Sequence, residues 1–203
     1  DRLRSRGLGD VYKRQAKLIT QYTKGAGFGM APAITPGSLF TGRFEFQAVT
    51  DPKEQLKLTK FGISYTKKPL YFKGAFKYKA GDNFVDGSDK NDVKENTGDK
   101  DQCGIYALLY EATNEKEEEV ILDGNTITNS EYRVAIAQIK DGSDTEDKWV
   151  EFNEAFTYFE GKVYDSSKKY KMAIVCSSSK AGDSFKGAVN STLFVDELEI
   201  IGE

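Results

Sequence analysis

The sequence predicts an all-β fold, a sandwich or jelly-roll, on three observations. About eight to eleven short runs either alternate apolar with polar residues or form brief apolar stretches. Hardly any segment carries the roughly 3.6-residue period of an amphipathic helix. Gly-, Ser-, Asn- and Asp-rich stretches, which suit turns, separate the runs. Composition agrees: 13 Phe and 11 Tyr stand against one Trp, and aromatic residues fit a pleated, half-buried surface. A hydrophobic content of 38% is low for a helical bundle but normal for sheets with one wet face. The 203 residues are enough for one domain with a full core.

In chain order, residues 1–15 (DRLRSRGLGDVYKRQ) show no periodicity and no initiating Met. They resemble a translated adapter leader on a metagenomic gene fragment and are set apart from the fold. The alternative is a genuine basic arm carrying Arg2, Arg4, Arg6 and Arg14. Residues 16–203 are expected to form a single domain, truncated at its N-terminus. Ala16 to Tyr22 reads as a strand, and Gly25 to Pro36 as loop. Ser38 to Val49 alternates, with Phe40, Gly42, Phe44 and Phe46 on one face. A Gly in that row predicts a bulge or a close approach by another chain segment. Asp51-Pro52-Lys53 reads as a turn, and Lys57 to Tyr65 as a strand containing Gly62.

Pro69 to Lys79 alternates most clearly. Phe72, Gly74, Phe76 and Tyr78 should face the core, with Tyr71, Lys73, Ala75, Lys77 and Lys79 toward solvent. Ala80 to Gln102 is a polar insert with six Asp, expected to be a surface loop. Gly104 to Tyr110 reads as a buried strand, Asn114 to Glu119 as a hairpin tip, and Asp123-Gly124 as a hairpin signal. Tyr132 to Ile139 alternates, Lys140 to Lys148 is loop, and Trp149 to Gly161 is a strand with Trp149, Glu151 and Asn153 on one face. Met172 to Cys176 is short and apolar. Ser191 to Ile201 reads as a closing strand whose alternation slips once, near Asp196-Glu197. A short echo, KAGDNF at Lys79 and KAGDSF at Lys180, reads as two Gly-Asp turns or as coincidence.

Several ordered motifs carry a resemblance: LFTGRF from Leu39, KPLYFKGAFKYKAGD from Lys68, DQCGIYALLYE from Asp101, WVEFNEAFTYFEG from Trp149, and SSSKAGDSFKGAVNSTLFVDELEI from Ser177. Together they resemble the putative carbohydrate metabolism domain of gut Bacteroidetes surface proteins. The resemblance implies a β-jelly-roll of the galactose-binding, carbohydrate-binding-module type, commonly preceded by an immunoglobulin-like domain. It also implies an exported protein, extracellular or periplasmic, anchored at the outer-membrane surface as a lipoprotein. By the family pattern a Gly is expected where Asn190 stands, and Asn tolerates a left-handed backbone better than other non-Gly residues.

The composition removes several classes of function. There is no histidine, which excludes Ser-His-Asp chemistry and every His-dependent metal site. A net charge of −3 gives no electrostatic reason to expect nucleic acid as partner. No apolar run reaches the ~18 residues of a transmembrane helix. Cys103 and Cys176 each end an apolar run and read as two buried small hydrophobes, with one disulfide between them as the alternative. No cofactor is expected. A structural calcium is conceivable, but Phe84 and Val85 interrupt the EF-hand spacing in the insert. Asp196 in VDEL resembles the closing-strand Asp that helps ligate calcium in many sugar-binding jelly-rolls; otherwise it is a surface carboxylate or bulge former.

Three readings of function remain. The first is a non-catalytic module binding poly- or oligosaccharide, with Trp149, Tyr78, Tyr158 or Tyr71 stacking on pyranose faces beside a few polar groups. The plain alternative for Trp149 is a partly buried core indole. The second is a glycoside hydrolase. It needs two carboxylates about 5–5.5 Å or about 6.5–9.5 Å apart; Glu45 with Glu151, and Asp101 with Glu111, are candidates that spacing does not select. The third is a structural or adhesive surface domain.

Overall fold

In the computed structural model, which describes residues 15–26, 31–47 and 51–203, two antiparallel sheets face each other across the main core. Strand β8 (Pro69–Lys79) sits inside the first. Its neighbours are β18 (Thr192–Gly202) and β14 (Val150–Ala155), and β1 (Ala16–Ile19) completes the order β1-β18-β8-β14. The predicted parity of β8 holds: Phe72, Phe76 and Tyr78 are buried, whereas Tyr71, Lys73, Ala75, Lys77 and Lys79 lie on the outer face. Phe72, Phe76, Phe152, Leu193 and Val195 fill the inner side, and each such burial contributes roughly 1.5–3 kcal/mol.

The second sheet runs β15 (Thr157–Tyr158), β13 (Arg133–Gln138), β11 (Gly104–Glu111), β16 (Tyr170–Ser177) and β4 (Ser38–Phe40), with β7 (Ile63–Tyr65) also pairing with β16. Ile105, Ala107 and Leu109 of β11 face the main core. Leu108 and Tyr110 face the other way, onto Val120, Leu122 and Ile127. A third layer, β5 (Gly42–Phe44), β6 (Thr59–Phe61) and β12 (Leu122–Asp123), supplies that second cover. Burial on both faces is why GIYALLY is nearly continuous in apolar residues rather than alternating.

The expected close approach at Gly42 is the Lys60 carbonyl, which a Cβ would strike, at φ 145. Other expectations need correction. The strand from Ala16 breaks at Thr20 before β2 (Gln21–Tyr22), and the one from Lys57 breaks at Gly62, whose φ is 94. The loop expected before Pro36 contains β3 (Ile34–Thr35), paired with β2, and Ile34 is fully buried. Asp51-Pro52-Lys53 opens a short helix, α1 (Pro52–Leu56). Asp123-Gly124 makes no hairpin, because β12 pairs with β6 and not with a strand C-terminal to it. The polar insert is not loop throughout. It contributes β9 (Asn83–Asp86) and β10 (Lys94–Glu95), which join β17 (Lys186–Val189) in a small sheet over Ala33, Ile34 and Val85. Asn190 adopts φ 67, the left-handed conformation expected of it. Cys103 and Cys176 are free and buried, and burial pushes both thiols up to about 12.

A buried polar network ties these parts together. The Asp101 side chain is among the few buried polar groups. Its Oδ2 accepts from Ser179 Oγ (2.6 Å), Ser191 Oγ (2.8 Å) and the Ala188 amide (2.7 Å), and its Oδ1 accepts from the Gln102 amide (2.9 Å). Ser179 spends its hydrogen on the carboxylate, so Thr20 must donate to Ser179 across 2.6 Å, since a hydroxyl has one hydrogen. Ser178 Oγ, 2.7 Å from Thr20 Oγ1, then donates to Thr20 and accepts from the Gly37 amide. The network makes Asp101 a structural residue and corrects its candidacy as a catalytic acid.

Replacing Asp101 leaves its buried donors without an acceptor, at about 1–3 kcal/mol for each such group. Urea titration of Asp101→Ala is expected to show at least ~3 kcal/mol of lost stability; a loss below ~1 kcal/mol would contradict the network. A second prediction concerns pH. The Lys186 ammonium, 2.8 Å away, and Ser88 hold the Asp86 carboxyl at about 2, below its ordinary 3.8. The resulting stability is present above the ordinary value and is lost as pH falls through the lowered one. Asp86→Asn should therefore cost about 1 kcal/mol at neutral pH after solvent screening, and the gap should close near pH ~2. A pH-independent gap would refute this.

Candidate functional site

The outer face of the first sheet brings together residues that are far apart in sequence. Glu151 of β14 pairs with Ala75 of β8, and Ala75 pairs on its other side with Asp196 of β18. The three form one rung across three strands, with the smallest side chain in the middle. Ala75 thus floors a shallow depression of about 300 Å³, lined by Trp149, Glu151, Asp196 and Glu197. Trp149 is 40% exposed and directly precedes β14 at the level of Lys77. Its exposure decides against the core-indole alternative. Phe152, on the opposite face of the strand, is the core residue instead.

A β-bulge builds the acidic side of the depression. Asp196 opposes Ala75, yet Glu199 opposes Lys73, so β18 carries one extra residue between those rungs. Such an insertion breaks strand alternation and re-aims side chains. Glu197 takes φ 54 and its amide donates to Asp196 Oδ1 at 2.8 Å. Consecutive carboxylates therefore line the same depression. Leu198 meanwhile turns inward to pack against the core beside Phe152, into room left by Gly74. The slip in alternation at Asp196-Glu197 is this bulge. Sequence alone does not single out Glu197 or Ala75 as site residues; the slip is a signal for the first, and the lone small residue in the lysine row for the second.

Charge around the depression is uneven. Lys73 meets Glu199 at 3.0 Å, and Lys77 meets Asp147 at 2.7 Å, holding that carboxyl below its usual range. The ammoniums of Lys17 and Lys77 lie 5.6 Å and 5.1 Å from the centre of the Phe194 ring. Cations thus occupy that ring. Among the described residues no three acidic or cysteine side chains converge as a metal cage, and the Asp196 carboxylate serves the bulge amide.

The other sequence candidates lie elsewhere. Tyr71 is 43% exposed and shares the outer face. Tyr78 is fully buried, which corrects its place among ligand-stacking rings: it belongs to the inner row with Phe72 and Phe76. Its hydroxyl points toward Asp101 and Ser191 without meeting hydrogen-bond geometry. Tyr158 lies in β15, at the edge of the other sheet, packed against the core with its hydroxyl buried. Glu45 follows β5 and pairs with Arg43 at 2.9 Å, so it does not face Glu151. Glu111 ends β11 in ion pairs with Lys168 (2.9 Å) and Lys162 (3.9 Å). Neither proposed carboxylate pair is assembled; Glu151 instead stands across Ala75 from Asp196.

A family model for the putative carbohydrate metabolism domain matches residues 8–201. The chain belongs to this family. The match begins inside the segment read as a leader, whose residues 1–14 lie outside those described. A crystal structure from Bacteroides thetaiotaomicron, described as a putative glycoside hydrolase, is 39% identical with a TM-score of 0.79; the match covers 92% of this chain and 53% of that one. A second, from Bacteroides vulgatus and described in the same words, is 34% identical with a TM-score of 0.75, covering 92% of this chain and 72% of that one. This member of the family thus spans about half the length of the first relative. No curated protein matches the chain.

The bulge makes a specific prediction. A left-handed non-Gly residue costs roughly 1–2 kcal/mol, and a β-branched one more. Thermal melting should show Glu197→Gly as stable as the parent or more so, and Glu197→Val less stable by about 1–2 kcal/mol. Equal losses for both would mean that residue 197 is not left-handed.

Proposed function

We propose that this domain binds carbohydrate without catalysis, on the outer face of the four-stranded sheet, as part of an exported glycan-utilisation protein. The observation that carries the reading is the exposed Trp149 ring beside a depression whose other walls are Glu151, Asp196 and Glu197. An aromatic ring offers apolar area to a pyranose face, and carboxylates accept hydrogen bonds from its hydroxyls. Membership of a carbohydrate metabolism family supports the same class of ligand. The site stands on β18, β8 and the edge strand β14 of one sheet, with Trp149 directly before β14, so little ordering is needed on binding. An extracellular or periplasmic location, anchored at the outer membrane, fits that role.

A glycoside hydrolase is the second reading, favoured by one geometric fact. Glu151 and Asp196 flank Ala75, which sets their backbones about 9.5 Å apart at two strand spacings. That accommodates the carboxyl separation of about 6.5–9.5 Å used by inverting enzymes. Both solved relatives are described as putative glycoside hydrolases.

Affinity electrophoresis through gels of soluble plant and mucin polysaccharides, each assayed for released reducing sugar, separates the readings. Retardation without release is expected. Trp149→Ala should weaken retention by about 2 kcal/mol, some 30-fold, with an unchanged melting temperature. Release of sugar that Glu151→Gln or Asp196→Asn abolishes would replace binding with hydrolysis. No retardation on any gel by the folded chain would leave a structural role.

A further inference from the structure

We propose that the outer face receives an internal stretch of an uncharged polysaccharide, laid along β8 and β14 from Trp149 to Tyr71, rather than a terminal sugar. The proposal rests on the carbohydrate-binding reading and extends it from one depression to a whole lane of the sheet.

Trp149 and Tyr71 are the large aromatic side chains exposed on this face among the described residues; Phe194 shares the face, but Lys17 and Lys77 flank its ring. Register sets the distance between them. Trp149 lies at the level of Lys77, one residue before the Val150–Phe76 pair, and Tyr71 pairs with Ala155. From position 77 to position 71 of β8 is about 20 Å at roughly 3.3 Å per residue. That is far longer than one pyranose ring, so a single sugar cannot stack on both aromatics, whereas a chain can.

The rungs between the two rings are suited to a chain. The first is Glu151–Ala75–Asp196 and the next is Asn153–Lys73–Glu199. Each presents hydrogen-bonding groups, and the small Ala75 and Ala155 leave the lane low. Its charge selects the polymer. Lys73 and Lys77 are matched by Glu199 and Asp147. Glu151, Asp196 and Glu197 have no lysine or arginine partner among the described residues. Uncompensated negative charge repels uronate and sulfate polymers and leaves acceptors for neutral hydroxyls.

Calorimetric titration tests this with oligosaccharide ladders, disaccharide to hexasaccharide, cut from xylan, mannan, β-glucan, arabinan and polygalacturonate. The parent chain, Trp149→Ala and Tyr71→Ala are compared, each with its melting temperature. Affinity for at least one uncharged ladder should climb with length. Each substitution should weaken the hexasaccharide on the order of tenfold, while Tyr71→Ala leaves the disaccharide unchanged. Trp149-dependent binding that is already maximal at the disaccharide, or that ignores Tyr71, overturns the lane but leaves carbohydrate binding standing. Preference for polygalacturonate overturns it equally. No binding to any ladder, together with no retardation on the polysaccharide gels, removes both readings.

Discussion

A carboxylate inside an apolar sandwich is tolerated only when its oxygens are supplied with donors, and Asp101 meets that demand from widely separated parts of the chain. The Ser179 and Ser191 hydroxyls and the Ala188 and Gln102 amides converge on it. Thr20 and Ser178 extend the network to the break after β1 and to Gly37. Apolar contacts are non-directional and would tolerate several packings. Hydrogen bonds to one buried charge are directional, and a half-satisfied set is worse than none. The network therefore selects one arrangement of the loops at this end of the sandwich. The small β9–β10–β17 sheet is positioned by the same constraint, because β17 donates the Ala188 amide.

How much of this the sequence discloses depends on how local each cause is. The faces of β8 are legible because parity alone sorts Phe72, Phe76 and Tyr78 from the lysine row. Gly42 and Asn190 are legible because close approach and left-handed backbone restrict residue type. The slip at Asp196-Glu197 is legible as an interrupted period. Strands β9 and β10 are not, since residues of the polar insert become strand there only because β9 pairs with the distant β17 and β10 pairs with β9. Asp123-Gly124 misleads because β12 finds its partner in β6, far back in the chain.

The candidate site divides in the same way. That Trp149 and Glu151 share a face follows from parity, and so does the burial of Tyr78. That Glu151 and Asp196 flank Ala75 follows only from strand order and register, which no local pattern encodes. Asp101 and Asp196 are both acidic residues in or next to strand-like runs of the sequence, yet one is buried under its donors and the other lines a depression. Electrostatic role here is a property of neighbours, and those neighbours are assembled by tertiary structure.

The extra residue in β18 has a consequence for how this face can vary. Side chains at Asp196 and Glu197 point outward, so their chemistry can change with little effect on the core. The number of residues can change there too, within limits. Deleting Glu197 would close the bulge, leaving Leu198 opposite Gly74 and Glu199 opposite Lys73, so every later pair and the hydrophobic layer beneath would keep their faces. A deletion within the regular pairing of Glu199 to Ile201 has no spare residue to absorb it and would turn the outward row toward the core. The bulge is thus a point where a carboxylate can be dropped from the recognition surface by length as well as by substitution, without disturbing the core.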